Sequence, residues 1–303
     1  MDDLTAHTSP PSQGNLGGHP GHEPGFVITA PLRQTVPLVL SSPHSGRSYA
    51  DEFMSAARLD KATLRRSEDS YVDEIFAAGP ALGAPLIAAT FPRAFCDVNR
   101  EAWELDPAMF EDTLPDWVNT TSPRVGAGLG TIARVVANGE AIYGIRLRFS
   151  EAQRRVRGYW QPYHDALSGL VETTRANFGV CVLLDCHSMP SGATSARRPA
   201  PDIVLGDVHG TACDQRVVRM AEQFFTQRGY VTRRNDPYAG GYVTRHYGRP
   251  RSNVHALQIE IARGLYMDEA TLQKLPGFGR VTEDAGEFTG VLGDLARELA
   301  ELD

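Results

Sequence analysis

Four separate stretches of this chain end in side chains that hold metals or move protons. The apolar run Val180–Leu184 breaks into Asp185-Cys186-His187-Ser188. Alternation along a strand sets Asp185 and His187 on one face and Cys186 on the other, so a carboxylate and an imidazole emerge together at the strand's end. In open α/β sheets such ends are where ligands bind, and imidazole is both a metal ligand and a proton carrier near neutral pH. The segment Val36–Leu40 likewise runs into Ser41-Ser42-Pro43-His44-Ser45-Gly46, which brings His44 to a second strand end. Ser67-Glu68-Asp69-Ser70 offers an acidic pair. Asn253–Ala262 reads as a strand with Gln258 and Glu260 on one face and Leu257, Ile259 and Ile261 on the other. A carboxylate on so apolar a strand is unfavourable unless paired, so Glu260 requires a cation or a metal-bound water beside it. Two imidazoles, one carboxylate and a water make an open zinc site, in which the water's pKa falls to ~7 and a nearby carboxylate takes its proton. No HExxH or HxxE spacing is present, so such a site forms only by long-range convergence. The competing readings are histidines satisfied by local hydrogen bonds and an acidic pair on a solvated helix face.

The elements that must position these groups follow from periodicity. Strands are expected at Val36–Leu40, Ala84–Phe91, Val180–His187, Ile203–Asp207 and Asn253–Ala262. Helices are expected from Asp60, a plausible N-cap, to about Ala78, from Asp214 to about Gln227 and from about Glu287 to Leu302. A longer helix, Ser150 to about Asn177, carries a Ser150/Gln153 capping box and the stripe Val156, Trp160, Tyr163, Leu167 and Leu170. His164 falls one position off that stripe and reads as a partly exposed surface histidine. Alternating strands and helices imply an α/β fold, a mainly parallel sheet with helices on both faces.

Arg93, Asp97, Asn99 and Arg100 bunch after the second strand, a place suited to gripping an anionic substrate. Residues 101–148 are irregular. Their glycines at 126, 128 and 130 match neither GxGxxG nor GxxxxGK[ST], which excludes a nucleotide-phosphate loop and leaves a covering insertion. Gly240-Gly241 marks a tight loop where backbone approaches a ligand, with Arg245 and His246 following.

With 303 residues, 42% of them hydrophobic, the chain is long enough for one large domain, set at residues 25–303. Residues 1–24 carry Pro, Gly, Ser and His7, His19 and His22 without apolar periodicity, and read as a disordered tail. A net charge of -7 argues against general affinity for nucleic acid or anionic membrane. No long apolar run or signal-peptide pattern occurs, so neither export nor anchoring is expected. Cys96, Cys181, Cys186 and Cys213 lack CxxC spacing and read as reduced thiols of a cytoplasmic protein.

These blocks, in order, resemble the N-formylglutamate amidohydrolases: Pro43-His44-Ser45-Gly46, Glu68-Asp69, Arg93 with Asp97-Val98-Asn99-Arg100, Asp185-Cys186-His187-Ser188, the stretch from Gly240 to Gly248, and His255 to Glu260. That family is similar to the zinc carboxypeptidases and aspartoacylases, which implies a three-layer phosphorylase/hydrolase-like fold with a mixed, mostly parallel sheet between helices. The resemblance implies His44, Asp69 and His187 as ligands of Zn2+ or another divalent metal, with Glu68 the alternative to Asp69. It implies Glu260 as general base and acid, Arg93 at the oxyanion, Asn99, Arg100 and Arg245 on substrate carboxylates, and Asp185 orienting a ligand histidine. The implied activity is hydrolysis of a small N-acyl amino acid, N-formyl-L-glutamate, to formate and L-glutamate in histidine catabolism. The extended N-terminal arm and the Trp103–Val136 segment depart from the family pattern and leave another N-acyl amino acid or a small peptide as the alternative substrate. A catalytically silent dicarboxylate-binding protein is the alternative outside enzymology. A serine hydrolase is disfavoured by the lack of a GxSxG elbow.

Overall fold

Leu183 and Leu184 point to opposite faces of their strand, and both are fully buried, so helices must cover the sheet on two sides. The computed structural model describes residues 25–136, 139–192 and 199–301. The expected tail at 1–24 lies outside the described residues. Seven strands, β1 (Phe26–Thr29), β2 (Leu38–Ser42), β3 (Leu86–Ala89), β4 (Cys181–Met189), β5 (Ile203–Gly206), β6 (Thr232–Arg234) and β7 (Val254–Ala262), form one sheet in the order β1-β3-β2-β4-β7-β5-β6. β3, β2, β4 and β7 run parallel, whereas β1 pairs β3 and β5 pairs β7 antiparallel. The sheet is therefore mixed, and the fold is α/β with helices on both faces.

The helices are α1 (Asp51–Ala56), α2 (Lys61–Arg65), α3 (Val72–Ile75), α4 (Pro123–Gly126), α5 (Phe149–Arg155), α6 (Gln161–Phe178), α7 (Gln215–Gln227), α8 (Tyr242–Tyr247) and α9 (Gly277–Glu301). Strand alternation sorts their partners. Leu38, Leu40, Val182, Leu184, Leu257 and Ile259 pack with residues of α3, α7 and α9. Val39, Cys181, Leu183 and Ala256 pack with Val156, Tyr163, Leu167 and Val171 of the α5–α6 segment and with Val243 and Tyr247 of α8. Asp185 and His187 share the parity of Leu183, and Cys186 lies in the opposite cluster, as alternation requires.

Four expectations change. The helix expected over 60–78 starts where Asp60 caps it, its side chain accepting from Thr63 N, but it breaks between Arg65 and Val72. Tyr71 adopts φ +69°, and the Asp69 N–H donates to the His44 carbonyl at 3.0 Å. The chain leaves the helix to join Asp69 to the β2 loop, a tertiary demand that local period does not express. The long helix begins at Phe149, not Ser150, because the Asp112 carboxylate accepts from Phe149 N at 2.6 Å and takes the capping role from 37 residues away. It passes through a π-helical turn at Val156–Trp160 and stops at Gly179, φ +81°. α9 starts ten residues earlier than expected, and Val291 of its expected stripe is 42% exposed.

His164 is the fourth correction. It is buried on α6, its Nε2 2.8 Å from the Val98 carbonyl and its Nδ1 3.0 Å from the Tyr247 hydroxyl. It joins α6 to α8 and to the loop that carries Asn99 and Arg100. Burial pushes its pKa down to about 4, so the folded state resists a proton that the unfolded chain accepts near pH 6.5. The resulting stability is present above pH 6.5 and lost as pH falls toward 4, a span worth about 3 kcal/mol. Urea unfolding at pH 7.5 and 4.5 is expected to show a drop larger by roughly that amount in the wild type than in His164→Gln.

The described part of residues 101–148 has a small core of its own, formed by Leu105, Met109, Phe110, Val118, Ile132 and Leu147. It lays Arg124, Leu129, Ala133 and Val135 along one cavity. Among the described residues no helix is long and apolar enough to cross a membrane.

Candidate active site

Parallel β2, β4 and β7 end on the same side, so the loop leaving β2 meets the ends of β4 and β7. His44 lies two residues beyond β2. On the neighbouring strands His187 pairs in register with Glu260, and Asp185 with Gln258, so four polar side chains share one face of two adjacent strands. The α2–α3 break brings Asp69 to the same point. Its Oδ2 lies 2.9 Å from His187 Nδ1 and 3.4 Å from His44 Nδ1. One ligand atom from each of these three buried residues lies within 4.8 Å of the others.

Each ring is backed on its far nitrogen. His44 Nε2 is 2.7 Å from Asp97 Oδ1, and His187 Nε2 is 3.0 Å from Asp185 Oδ2. At His44 the carboxylate at Nε2 keeps the proton there and leaves the Nδ1 lone pair facing Asp69, whereas His187 Nδ1 donates to Asp69 Oδ2 at 2.9 Å through a proton that a bound cation would replace. His44 Nδ1 is buried with no hydrogen-bond partner among the described residues. The second oxygen of Asp69 accepts from Arg263 Nη2 at 3.0 Å, while Arg263 Nε donates to Ser188 Oγ. This donor set, two imidazole nitrogens and one carboxylate oxygen around an unpartnered buried atom, fits a divalent cation such as zinc. Glu68 faces elsewhere, accepting from Tyr49, Arg65 and Ser70.

Electrostatics sharpen the picture. Burial, the largest influence, pushes the Asp69 carboxyl up, but hydrogen bonds and charge from His187 and His44 hold it well below the usual range. Burial likewise opposes charge on Asp97 and His187. Arg93, His44 and Arg100 nonetheless keep Asp97 low, and the Asp185, Asp69 and Glu260 carboxylates raise His187 well above its usual value. A bound dication would take the place of that imidazolium proton. Glu260 is pushed up to about 7, chiefly by burial, with Asp69 adding to the rise and His187, Arg93 and Arg263 opposing it. Gln258 Nε2 donates to Glu260 Oε1 at 2.9 Å.

The cavity over these groups measures about 590 Å³, a size suited to small molecules. Arg93, Asn99, Arg100 and Arg245 all line it. Arg93 Nη2 donates to Asp97 Oδ2 at 2.8 Å. Arg100 donates to the carbonyls of Leu129 and Asn99, and the exposed Arg245 to that of Gly240. Asn99 Oδ1 accepts from Val243 N at 2.8 Å, which ties the loop after β3 to α8, and its Nδ2 lies 3.1 Å from His187 Nε2. Two wall residues escaped sequence reasoning. Arg263 directly follows β7, where the polar-tip argument used for β4 would have found it. Arg124 sits on α4 within the 101–148 segment, where no local pattern marks it.

The family model for N-formylglutamate amidohydrolase matches residues 36–267. The chain belongs to the N-formylglutamate amidohydrolase family. Its relatives include the N-formylglutamate deformylases of Pseudomonas putida, 28% identical over 77% of this chain and 83% of that protein, and of Pseudomonas aeruginosa, 29% identical over 78% and 84%. The crystal structure of N-formylglutamate amidohydrolase from Ralstonia eutropha superposes with a TM-score of 0.86 at 37% identity, covering 90% of this chain and 99% of that one. A gene product of Agrobacterium tumefaciens, 16% identical with a TM-score of 0.61 and covering 92% of this chain, shares the fold. The stretch that matches the amidohydrolase family runs from β2 past Arg263 and so contains the whole His44–Asp69–His187 cluster with Glu260.

The Gly240-Gly241 turn lines the cavity and also packs tightly on protein, since a Cβ on Gly241 would fall inside the Asn99 amide. Gly241→Ala is therefore expected to displace Asn99 or α8, with an overpacking cost of about 1–3 kcal/mol. A fall in the thermal unfolding midpoint checks this, and an unchanged midpoint contradicts it.

Proposed function

We propose that this chain hydrolyses N-formyl-L-glutamate to formate and L-glutamate with the help of one divalent cation, zinc by its donor set. His44, Asp69 and His187 would hold it. The observation that carries the reading is Glu260, a buried carboxylate poised near neutrality beside two imidazoles and an aspartate, in an arginine-lined cavity of small-molecule size. The names of the relatives at 28–37% identity supply the substrate.

When bound, the cation supplies Lewis acidity, polarising the formyl carbonyl and making water a stronger acid. Glu260, titrating near 7, takes the proton of the attacking water and delivers it to the departing amine nitrogen. Gln258 holds one Glu260 oxygen and thereby orients the other. Arg93 steadies the negative charge that develops on the carbonyl oxygen. Arg100 and Arg245, with the free N–H of the Asn99 amide, grip substrate carboxylate. Asp97, Asp185 and Arg263 fix the directions of His44, His187 and Asp69. In this reading the enzyme works in the cytoplasm, where its four buried, unpaired cysteines stay reduced, and in histidine degradation, the setting that the family resemblance implies.

Formate release from N-formyl-L-glutamate tests the reading. The wild type is expected to be active, to lose activity with a chelator and to regain it with zinc. Glu260→Gln is expected to lower kcat by about 10²–10⁴-fold while zinc content stays stoichiometric. Chelator-resistant activity, or an active Glu260→Gln enzyme, would overturn it.

A further inference from the structure

Five arginines line the cavity: Arg93, Arg100, Arg124, Arg245 and Arg263. Arg93 is engaged by Asp97, and Arg263 by Asp69. Among the described residues the other three have no carboxylate within hydrogen-bonding distance. Arg100 and Arg245 donate to backbone carbonyls, which orient a guanidinium without neutralising it, and Arg100 Nε also stands 3.9 Å from Asp97 Oδ2, an oxygen already taken by Arg93. Arg124 makes no side-chain hydrogen bond among the described residues. Its anionic neighbour there is Glu104, whose Oε2 lies 3.9 Å from Arg124 Nη1. That separation exceeds a hydrogen bond yet is short enough to aim the cation. Glu104 is itself 3% exposed and its Oε2 has no hydrogen-bond partner among the described residues, so it acts as a fixed buried anion behind Arg124. The cations also feel one another. Burial, the largest influence, lowers Arg100 below its usual range, and the charges of Arg93 and Arg124 push the same way, opposed by Asp97 and Glu104. An anion entering between them would relieve this repulsion.

A substrate with a single carboxylate would leave much of this charge unmatched. Arg100 lies on the loop after β3 and Arg245 on α8, so both belong to the sheet-borne wall beside the reacting groups. Arg124 comes from the 101–148 segment and is delivered by α4, whose first turn is capped by Ser122 and whose Val125 is buried. Building on the proposed hydrolase reading, we infer that Arg124, aimed by Glu104, recognises the side-chain carboxylate of the substrate and sets the preference for an acidic over a neutral N-acyl amino acid. The 101–148 segment is thus a specificity element. A planar guanidinium grips a carboxylate by a two-pronged hydrogen bond, whereas an amide of the same shape leaves one prong unpaired.

The test measures kcat/KM on N-formyl-L-glutamate and N-formyl-L-glutamine, in wild type, Arg124→Met, Arg124→Lys and Arg245→Met. Arg124→Met is expected to cut the glutamate-to-glutamine ratio by about 10²-fold, mostly through KM. Arg124→Lys keeps the charge without the fork and is expected to retain an intermediate ratio. Arg245→Met is expected to lower both substrates by similar factors and so keep the ratio. An Arg124→Met enzyme that loses both substrates equally, or keeps the wild-type ratio, overturns this inference while the hydrolase reading stands. A wild type that turns over neither substrate, or prefers the glutamine derivative, overturns the inference; turnover of neither also sinks the reading beneath it.

Discussion

A single buried carboxylate oxygen facing two imidazole nitrogens is the constraint around which this fold is arranged. Asp69 Oδ2 approaches Nδ1 of both His44 and His187, and all three groups are sealed from bulk water. Unpaired charge in such a place is strongly unfavourable, so everything nearby must compensate it. Asp97 and Asp185 back the two rings, Arg263 takes the other Asp69 oxygen, and Arg93 takes the other Asp97 oxygen. The elements obey the same constraint. The helix expected over 60–78 is broken so that Asp69 can reach the β2 loop. The parallel register of β4 and β7 sets Glu260 directly beside His187.

The features legible in the sequence were those that alternation alone controls. The faces of β4 and β7 follow from period two, and so do the pairings Asp185 with His187 and Gln258 with Glu260. Asp60 and Asp214 announced helix starts because each caps its own first turn. The features that could not be read depend on partners far along the chain. Asp112 caps a helix 37 residues away and outcompetes the local Ser150 signal. Tyr71 takes a left-handed conformation because its hydroxyl is anchored at the Leu272 carbonyl and its neighbour Asp69 at His44. His164 lies off the apolar stripe yet is buried, since Tyr247 and Val98 satisfy both its nitrogens. Glu68 and Asp69 are equivalent in a sequence. They part only in space, where Tyr49, Arg65 and Ser70 claim one of them and the histidines meet the other.

Charge distribution links this cluster to substrate choice. The chain as a whole is acidic, at -7, yet its cavity concentrates arginines. Such local reversal of sign favours small anions within the cavity. Three of these arginines are oriented by backbone or by a buried glutamate and, among the described residues, have no carboxylate nearer than the 3.9 Å of Asp97 from Arg100 and of Glu104 from Arg124, an arrangement suited to a ligand that brings its own carboxylates. The reacting end is built differently, with Asp97, Asp69 and His187 each held by a charged partner before substrate arrives. Burial then leaves Glu260 near neutrality, able both to accept a proton and to release it.

The most direct test of this account is diffraction from zinc-loaded crystals at wavelengths on either side of the zinc absorption edge. The account predicts one strong anomalous peak at coordination distance, ~2.0–2.2 Å, from His44 Nδ1, His187 Nδ1 and a carboxylate oxygen of Asp69. A peak on Glu68, on the Nε2 side of either ring, or nowhere near these three residues would contradict it.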